Sequence, residues 1–156
     1  KKDKDITFHI FNYLFGNGGL TSKLYQVIRE QNSLCYGINS MYLKYDNLLV
    51  IQISLDNQNV KKAISLVKKS LKSMINGEFT LDQLNDAKNN LIMALDLSQD
   101  NSVSILNNYV FNIFDDLPEI DKRKDLIRTI EKQEIIEVSK KLKLNTIFTL
   151  LGKKDK

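Results

Sequence analysis

The chain has 156 residues, of which 42% are hydrophobic and 27% are charged, a composition that fits one folded domain with a substantial core. Its single cysteine and single histidine exclude an internal disulfide framework, a cysteine-rich zinc site and a metal site built on two histidines of this chain. The net charge of +4 comes mostly from lysines at the two ends, and only three residues are arginines, so we expect a solvated lysine surface and no nucleic-acid partner.

No uninterrupted apolar stretch reaches the length of about 18 residues that a membrane-spanning helix needs, so we expect no membrane partner. The charged N-terminus, residues 1–5, leads into no hydrophobic region of the kind found in signal peptides. We therefore predict a cytoplasmic location. An organelle is the alternative if a targeting segment has been removed.

The apolar pattern predicts two helices followed by a β-hairpin. Residues 6–15 have helical spacing, and residues 20–32 resume it after a glycine-rich turn at residues 16–19. Between residues 34 and 55 the apolar residues alternate on both sides of a turn signal, Asp46-Asn47. This alternation predicts a hairpin with one buried face.

The rest of the chain is predicted to be helical up to a short final strand. Gly77 is placed to end the first of these helices, and Thr80 with Gln83 forms a capping box that begins the next. Pro118 ends the third. The predicted helices cover residues 58–76, 81–95, 103–117, 124–130 and 132–142, and the predicted strand covers residues 146–151.

This order of elements predicts an α+β fold, in which a mainly antiparallel sheet has helices packed on one face. Three strands make a narrow sheet for so many amphipathic helices, since sheets commonly have about 4–6 strands. We therefore expect further strands to come from a preceding segment of the same polypeptide or from a partner.

Several chemically suggestive residues have structural interpretations. The glycine-rich turn lacks the spacing of a phosphate-binding loop, and it predicts a tight joint between two helices. The alternative is a loop that lets an extended ligand approach Gly18 and Gly19. We expect His9 and Cys35 to pack in the core rather than to act in catalysis, and Asp115-Asp116 to lie in a surface turn.

Arg29 and Tyr36 are the strongest candidates for a site. Arg29 ends a predicted helix and Tyr36 begins a strand seven residues later, and such a connection can bring both side chains to the same rim of the sheet. A guanidinium and a phenol hydroxyl supply hydrogen-bond donors that can hold a peptide carbonyl or its developing oxyanion. The alternative is a structural ion pair between Arg29 and a carboxylate.

The sequence around these residues resembles the C-terminal, non-catalytic half of the pitrilysin family of inverted-motif zinc peptidases, which includes insulin-degrading enzyme and the mitochondrial processing peptidase. The resemblance runs from about residue 8 to residue 152. Lys23 replaces an arginine that is usual in the family, and Ser33-Leu34-Cys35 stands where Gly-Leu-Ala is typical. The matching segments are LFGNGGLTSKLYQVIREQNSLCYGINS, INGEFTLDQLNDAKNNL and RTIEKQEIIEVSKKL.

The resemblance implies that the H-x-x-E-H zinc motif, which this sequence lacks, belongs to a companion catalytic half that holds the zinc. It implies that Arg29 and Tyr36 contact the substrate and help to polarise the scissile carbonyl. Independently of the resemblance, Gly18 and Gly19 of the glycine-rich turn are weaker candidates for peptide contact. The chain is then expected to hold no metal or cofactor and to have no catalytic residue of its own. Its expected partners are an N-terminal catalytic half or a paired peptidase subunit, and a peptide substrate.

We therefore predict a substrate-binding, non-catalytic half of a zinc metallopeptidase that hydrolyses peptides in a closed chamber. The alternatives are a catalytically inactive partner or scaffold subunit of a peptidase-family heterodimer, and an unrelated α+β interaction domain. In the family this half begins with strands that precede the first helix of this sequence. Residues 1–156 are accordingly predicted to be a single domain and the C-terminal fragment of a longer protein.

Overall fold

The computed structural model describes residues 2–100, 102–115 and 118–151, with side chains described for residues 5–100, 102–110 and 118–151. The predicted fold class, α+β with an antiparallel hairpin, is confirmed. The helices are α1 (Lys2–Asn12), α2 (Val60–Ile75), α3 (Leu81–Ser98), α4 (Ser102–Asp115), α5 (Ile120–Thr129) and α6 (Lys132–Lys141), and the strands are β1 (Cys35–Leu43) and β2 (Leu48–Leu55). Two π-helical segments, Tyr13–Asn17 and Tyr25–Glu30, lie between α1 and β1.

The sheet that the structure describes is the β1–β2 hairpin. The strands are antiparallel, and the turn between them places Asn47 at a positive φ of 50°, a conformation that asparagine tolerates well. Along β2 exposed and half-buried residues alternate strictly, because successive side chains of a strand point to opposite faces. The apolar inner face packs against the helical core.

The core forms where α1 and the first π-helical segment cross the hairpin and α6. Its largest fully buried side chains include Ile10, Phe11 and Phe15, and the last two stack with ring centroids 5.2 Å apart. A buried polar contact ties α1 to β1, since the Ser40 hydroxyl donates to Asn12 Oδ1 at 2.5 Å. The hairpin is thereby held at a fixed position on the helices that precede it.

Local signals in the sequence correctly mark the ends of α2 and α3. Gly77 follows α2 at a positive φ of 73°, the left-handed conformation that commonly ends a helix. The predicted capping box is present, because the Gln83 N–H donates to Thr80 Oγ1 at 3.1 Å and the Thr80 N–H donates to Gln83 Oε1 at 2.9 Å. These two contacts satisfy backbone donors that the first turn of α3 leaves without helical partners.

The predicted final strand is wrong. In the structure residues 142–151 are neither strand nor helix, and Phe148 and Leu150 are 84% and 86% exposed. A strand needs a neighbour to pair with its N–H and C=O groups, and within the described ranges only β1 and β2 pair. The segment has the composition of a strand, but the described part of the chain offers it no strand to pair with.

Smaller differences concern α5 and His9. Helix α5 begins at Ile120, four residues before the predicted start, because Glu119, with φ −53° and ψ 154°, takes a non-helical N-cap conformation directly after Pro118. His9 is exposed rather than packed in the core, and its ring makes an edge contact with Tyr42 at 5.4 Å. Of the predicted turn at Asp115-Asp116, Asp115 is the last residue of α4 and Asp116 lies outside the described residues.

In the part of the chain that the structure describes, no helix combines the length and the apolar character needed to cross a bilayer.

Candidate functional site

The connection between the second π-helical segment and β1 has a fixed backbone. The N–H of Ser33 donates to Arg29 O at 2.8 Å, and the N–H of Leu34 donates to Ile28 O at 3.1 Å. Ser33 has a positive φ of 50°, which turns the chain out of the helix. Carbonyls at the end of the π-helical segment accept both bonds. The short connection to β1 is therefore held in place at each end.

Tyr36 occupies a β-bulge at the start of β1. Cys35 pairs with Leu55 and Gly37 pairs with Ser54, so Tyr36 is the extra residue between two paired positions. Its side chain is 72% exposed, and its hydroxyl donates to Asp56 Oδ1 at 3.2 Å. Bulges turn a side chain out of the regular alternation and are common beside active sites. The bulge therefore presents the Tyr36 ring to solvent.

Arg29 is exposed at the end of the π-helical segment that precedes this connection. Its guanidinium carbon lies 5.1 Å from the ring centroid of Tyr25, a cation–π contact within the same segment. Among the described side chains it has no carboxylate partner. The described side chains therefore give no support to the alternative of a structural ion pair, and Arg29 is exposed to solvent.

The charge of Arg29 acts on the first residue of β1. Burial raises the pKa of the Cys35 thiol, and the positive charge of Arg29 partly opposes that rise. Arg29 and Tyr36 thus lie at the two ends of one short, hydrogen-bonded connection, but each has a different partner, Tyr25 for the guanidinium and Asp56 for the hydroxyl. Cys35 is buried, as the sequence predicts.

The glycine-rich turn has a structural explanation. A Cβ at Gly16 would lie 2.5 Å from Ser40 Oγ, and one at Gly18 would lie 2.7 Å from Tyr13 O. Gly19 has a positive φ of 59°, and there is open space where its Cβ would be. The carbonyls of Gly18 and Gly19 accept bonds from the hydroxyls of Thr21 and Ser22 at 3.0 and 2.8 Å.

The close packing of Gly16 and Gly18 favours the interpretation of the turn as a tight joint between two helices. Contact of Gly18 and Gly19 with a peptide stays a prediction. Of the two, Gly19 is the more exposed, and its Cα is the one that an extended ligand can approach without displacing a neighbour.

A cavity of about 220 Å³ lies beside this turn and was not expected from the sequence. Its lining includes Thr21, Lys23 and Gln26 from the segment after the turn and Met74 and Phe79 from the region around the end of α2. It does not reach Arg29 or Tyr36. The sequence gives no signal for it, because it depends on how two distant segments pack.

Metal-binding chemistry has no candidate site in the described ranges, where no three His, Cys, Asp or Glu side chains are grouped closely enough to hold an ion. His9, the single histidine, has a pKa lowered mainly by desolvation, which the carboxylate of Asp5 partly opposes. Its ring packs edge-on against Tyr42, so the ring is partly shielded from water although the residue as a whole is exposed.

Comparison with known proteins gives matches along most of the chain. Residues 1–91 match the family model described as the peptidase M16 inactive domain. A Bacillus subtilis protein named probable inactive metalloprotease YmfF is 26% identical over 155 residues, which cover 96% of this chain and 35% of that protein. A Helicobacter pylori protein named non-peptidase homolog YmxG is 30% identical over 133 residues, which cover 83% of this chain and 30% of that protein.

A solved structure has the same fold. The crystal structure of a peptidase M16 inactive domain from Pseudomonas fluorescens matches with a TM-score of 0.77 at 18% identity, over 90% of this chain and 34% of that one. The present chain spans about a third of the length of the two curated relatives.

Proposed function

Because the chain belongs to the family of the peptidase M16 inactive domain, we propose that it is the substrate-binding, non-catalytic half of a zinc metallopeptidase. Membership confirms the sequence-based resemblance to the non-catalytic half of this peptidase family, and the chain is an inactive peptidase-like domain. The zinc and the water that attacks the peptide then belong to a companion half, either on the same polypeptide or on a paired subunit. The substrate is a peptide held in a closed chamber between the halves.

The observation that carries this proposal is the exposed pair Arg29 and Tyr36. Arg29 has no acidic partner in the described part of the chain, so its N–H groups are available to an anionic or carbonyl oxygen. The Tyr36 hydroxyl is held by one solvent-exposed hydrogen bond of 3.2 Å to Asp56. Replacing this bond by a bond to a ligand costs little free energy. Both groups then donate to the substrate carbonyl as negative charge develops on it.

The test uses the complete protein, or its complex with the companion half, and measures cleavage of a quenched fluorescent peptide. Loss of one donor to a developing oxyanion lowers kcat by about 10²–10³-fold, so we expect a fall of that order in Arg29→Ala and Tyr36→Phe. The matched controls are Arg128→Ala, which removes another exposed arginine, and Tyr45→Phe, which removes another exposed phenol hydroxyl. Thermal unfolding checks that all four variants are folded.

Arg29→Ala loses one exposed cation–π contact, which is worth about 0.5–1 kcal/mol, so its folding cost is small beside the expected loss of activity. Unchanged cleavage by both Arg29→Ala and Tyr36→Phe would refute the assignment of these residues. Equal losses in the controls would show that the effect is not specific to the site.

The second candidate is a catalytically inactive partner or scaffold subunit in a peptidase-family heterodimer. The names of the two curated relatives, an inactive metalloprotease and a non-peptidase homolog, favour it. An H-x-x-E-H motif in the companion half supports the first candidate, whereas a companion half without it supports the second. The predicted single domain in a longer protein and the predicted cytoplasmic location are common to both.

A further inference from the structure

The exposed face of α2 consists almost entirely of lysines. The helix carries five of them and no acidic residue, and all five are exposed: Lys61, Lys62, Lys68, Lys69 and Lys72. At 100° per residue these positions fall within an arc of about 120° on one side of the helix. The buried positions Ala63, Ser70 and Met74 lie on the opposite side. The arc is here called the lysine face.

The described side chains do not neutralise the lysine face. No acidic residue lies between Asp56 and Glu78, and none of the five lysine side chains has an ion-pair or hydrogen-bond partner among the described residues. Lys68 and Lys72, four positions apart, repel each other on the same side of the helix. The positive charge therefore extends over about 17 Å of α2, and the repulsion among the lysines lowers the stability of the fold.

We propose that the lysine face docks an acidic surface of another protein domain. Its charge is complementary to carboxylates, and lysine ammonium groups act as point charges that need no fixed acceptor geometry. The chain spans about a third of the length of its curated relatives, so protein domains outside this structure are available as partners. The lysine face shares no residue with the pair Arg29 and Tyr36, and the inference does not depend on the proposed function.

Two other classes of polyanion fit the lysine face less well. Nucleic-acid recognition uses arginine for bidentate contacts and aromatic rings for stacking, and α2 contains neither. Binding to an anionic membrane by an amphipathic helix requires the apolar face to enter the lipid, and the apolar face of α2 is packed against the core. Docking of an acidic protein surface requires only exposed positive charge, which the lysine face supplies.

The test measures binding of fluorescently labelled poly-L-glutamate, a model of an acidic polypeptide, to the 156-residue chain by anisotropy. We expect binding that weakens as salt rises from about 50 to about 300 mM, because the charges are exposed to solvent. The variant K61Q/K68Q/K72Q should bind at least about tenfold more weakly. The control K88Q/K122Q/K143Q has the same change in net charge away from α2 and should stay within about twofold of the unchanged chain.

Two outcomes would overturn the proposal. Equal weakening in both triple variants would show that net charge alone, and not the lysine face, is responsible. Tighter binding of a DNA duplex or of phosphatidylserine-containing vesicles than of poly-L-glutamate, lost in K61Q/K68Q/K72Q, would assign the surface to one of those partners instead. Circular dichroism of each variant checks that the total helix content is unchanged.

Discussion

Introducing a single carboxylate at Ser65 should stabilise the protein. Ser65 is exposed near the middle of the lysine face. In Ser65→Glu the new side chain lies three or four positions from four lysines, Lys61, Lys62, Lys68 and Lys69, which are the spacings at which helical side chains meet. The substitution therefore converts uncompensated positive charge into four favourable pairs at once.

The expected gain in the free energy of unfolding follows from these spacings. Each pair contributes about 0.2–0.5 kcal/mol, and because one carboxylate cannot contact four ammonium groups fully, the total is about 1 kcal/mol. For a chain of this size that corresponds to a rise in Tm of about 2–4 °C. Ser65→Gln is the matched control, because glutamine and glutamate have similar helix propensities and differ here in charge.

The assay is thermal unfolding followed by circular dichroism at low salt and at about 1 M salt, where the Debye length is only about 3 Å. We expect Ser65→Glu to unfold at a higher temperature than Ser65→Gln at low salt, and the difference to shrink at high salt. Equal unfolding temperatures at low salt would mean that the lysines are already neutralised, and the reasoning about the lysine face would fail.

Two further predictions concern the core and the thiol. Gly16→Ala should destabilise the protein by about 1–3 kcal/mol in urea unfolding, because its Cβ would lie 2.5 Å from Ser40 Oγ in a packed region; a loss below about 0.5 kcal/mol would mean that the first π-helical segment can move away from β1. Cys35 should react with a thiol reagent at least about tenfold more slowly in the native protein than in guanidinium, because it is buried and its pKa is raised; equal rates would contradict its burial.

Much of the fold can be predicted from local signals. The capping box of Thr80 and Gln83 and the terminating Gly77 act within one turn of chain. These residues alone are therefore sufficient to predict where the two helices end and begin. The hairpin can be predicted because alternation identifies the face that is buried. The final strand could not be predicted correctly, since the pattern of residues 146–151 gives a preference for pairing but says nothing about the presence of a partner.

The candidate site could be located from the sequence only in outline. The short interval between Arg29 and Tyr36 indicates one connection between helix and sheet. The bulge at Tyr36 depends on the register between two strands, and the contact of Arg29 with Tyr25 depends on a π-helical turn that has no distinct apolar period. Both details arise from hydrogen bonding that the sequence pattern does not specify.

The open edges of the hairpin and the apolar segment of residues 142–151 link the stability of this chain to the presence of a neighbouring domain. Backbone groups along the outer edges of β1 and β2 have no strand neighbours among the residues described, and Phe148 and Leu150 remain in water. Any domain that covers these groups adds its binding free energy to the stability of this chain. The unfolding midpoint should then be a joint property of the chain and its neighbour, and it should rise with the neighbour's concentration when the two are separate molecules.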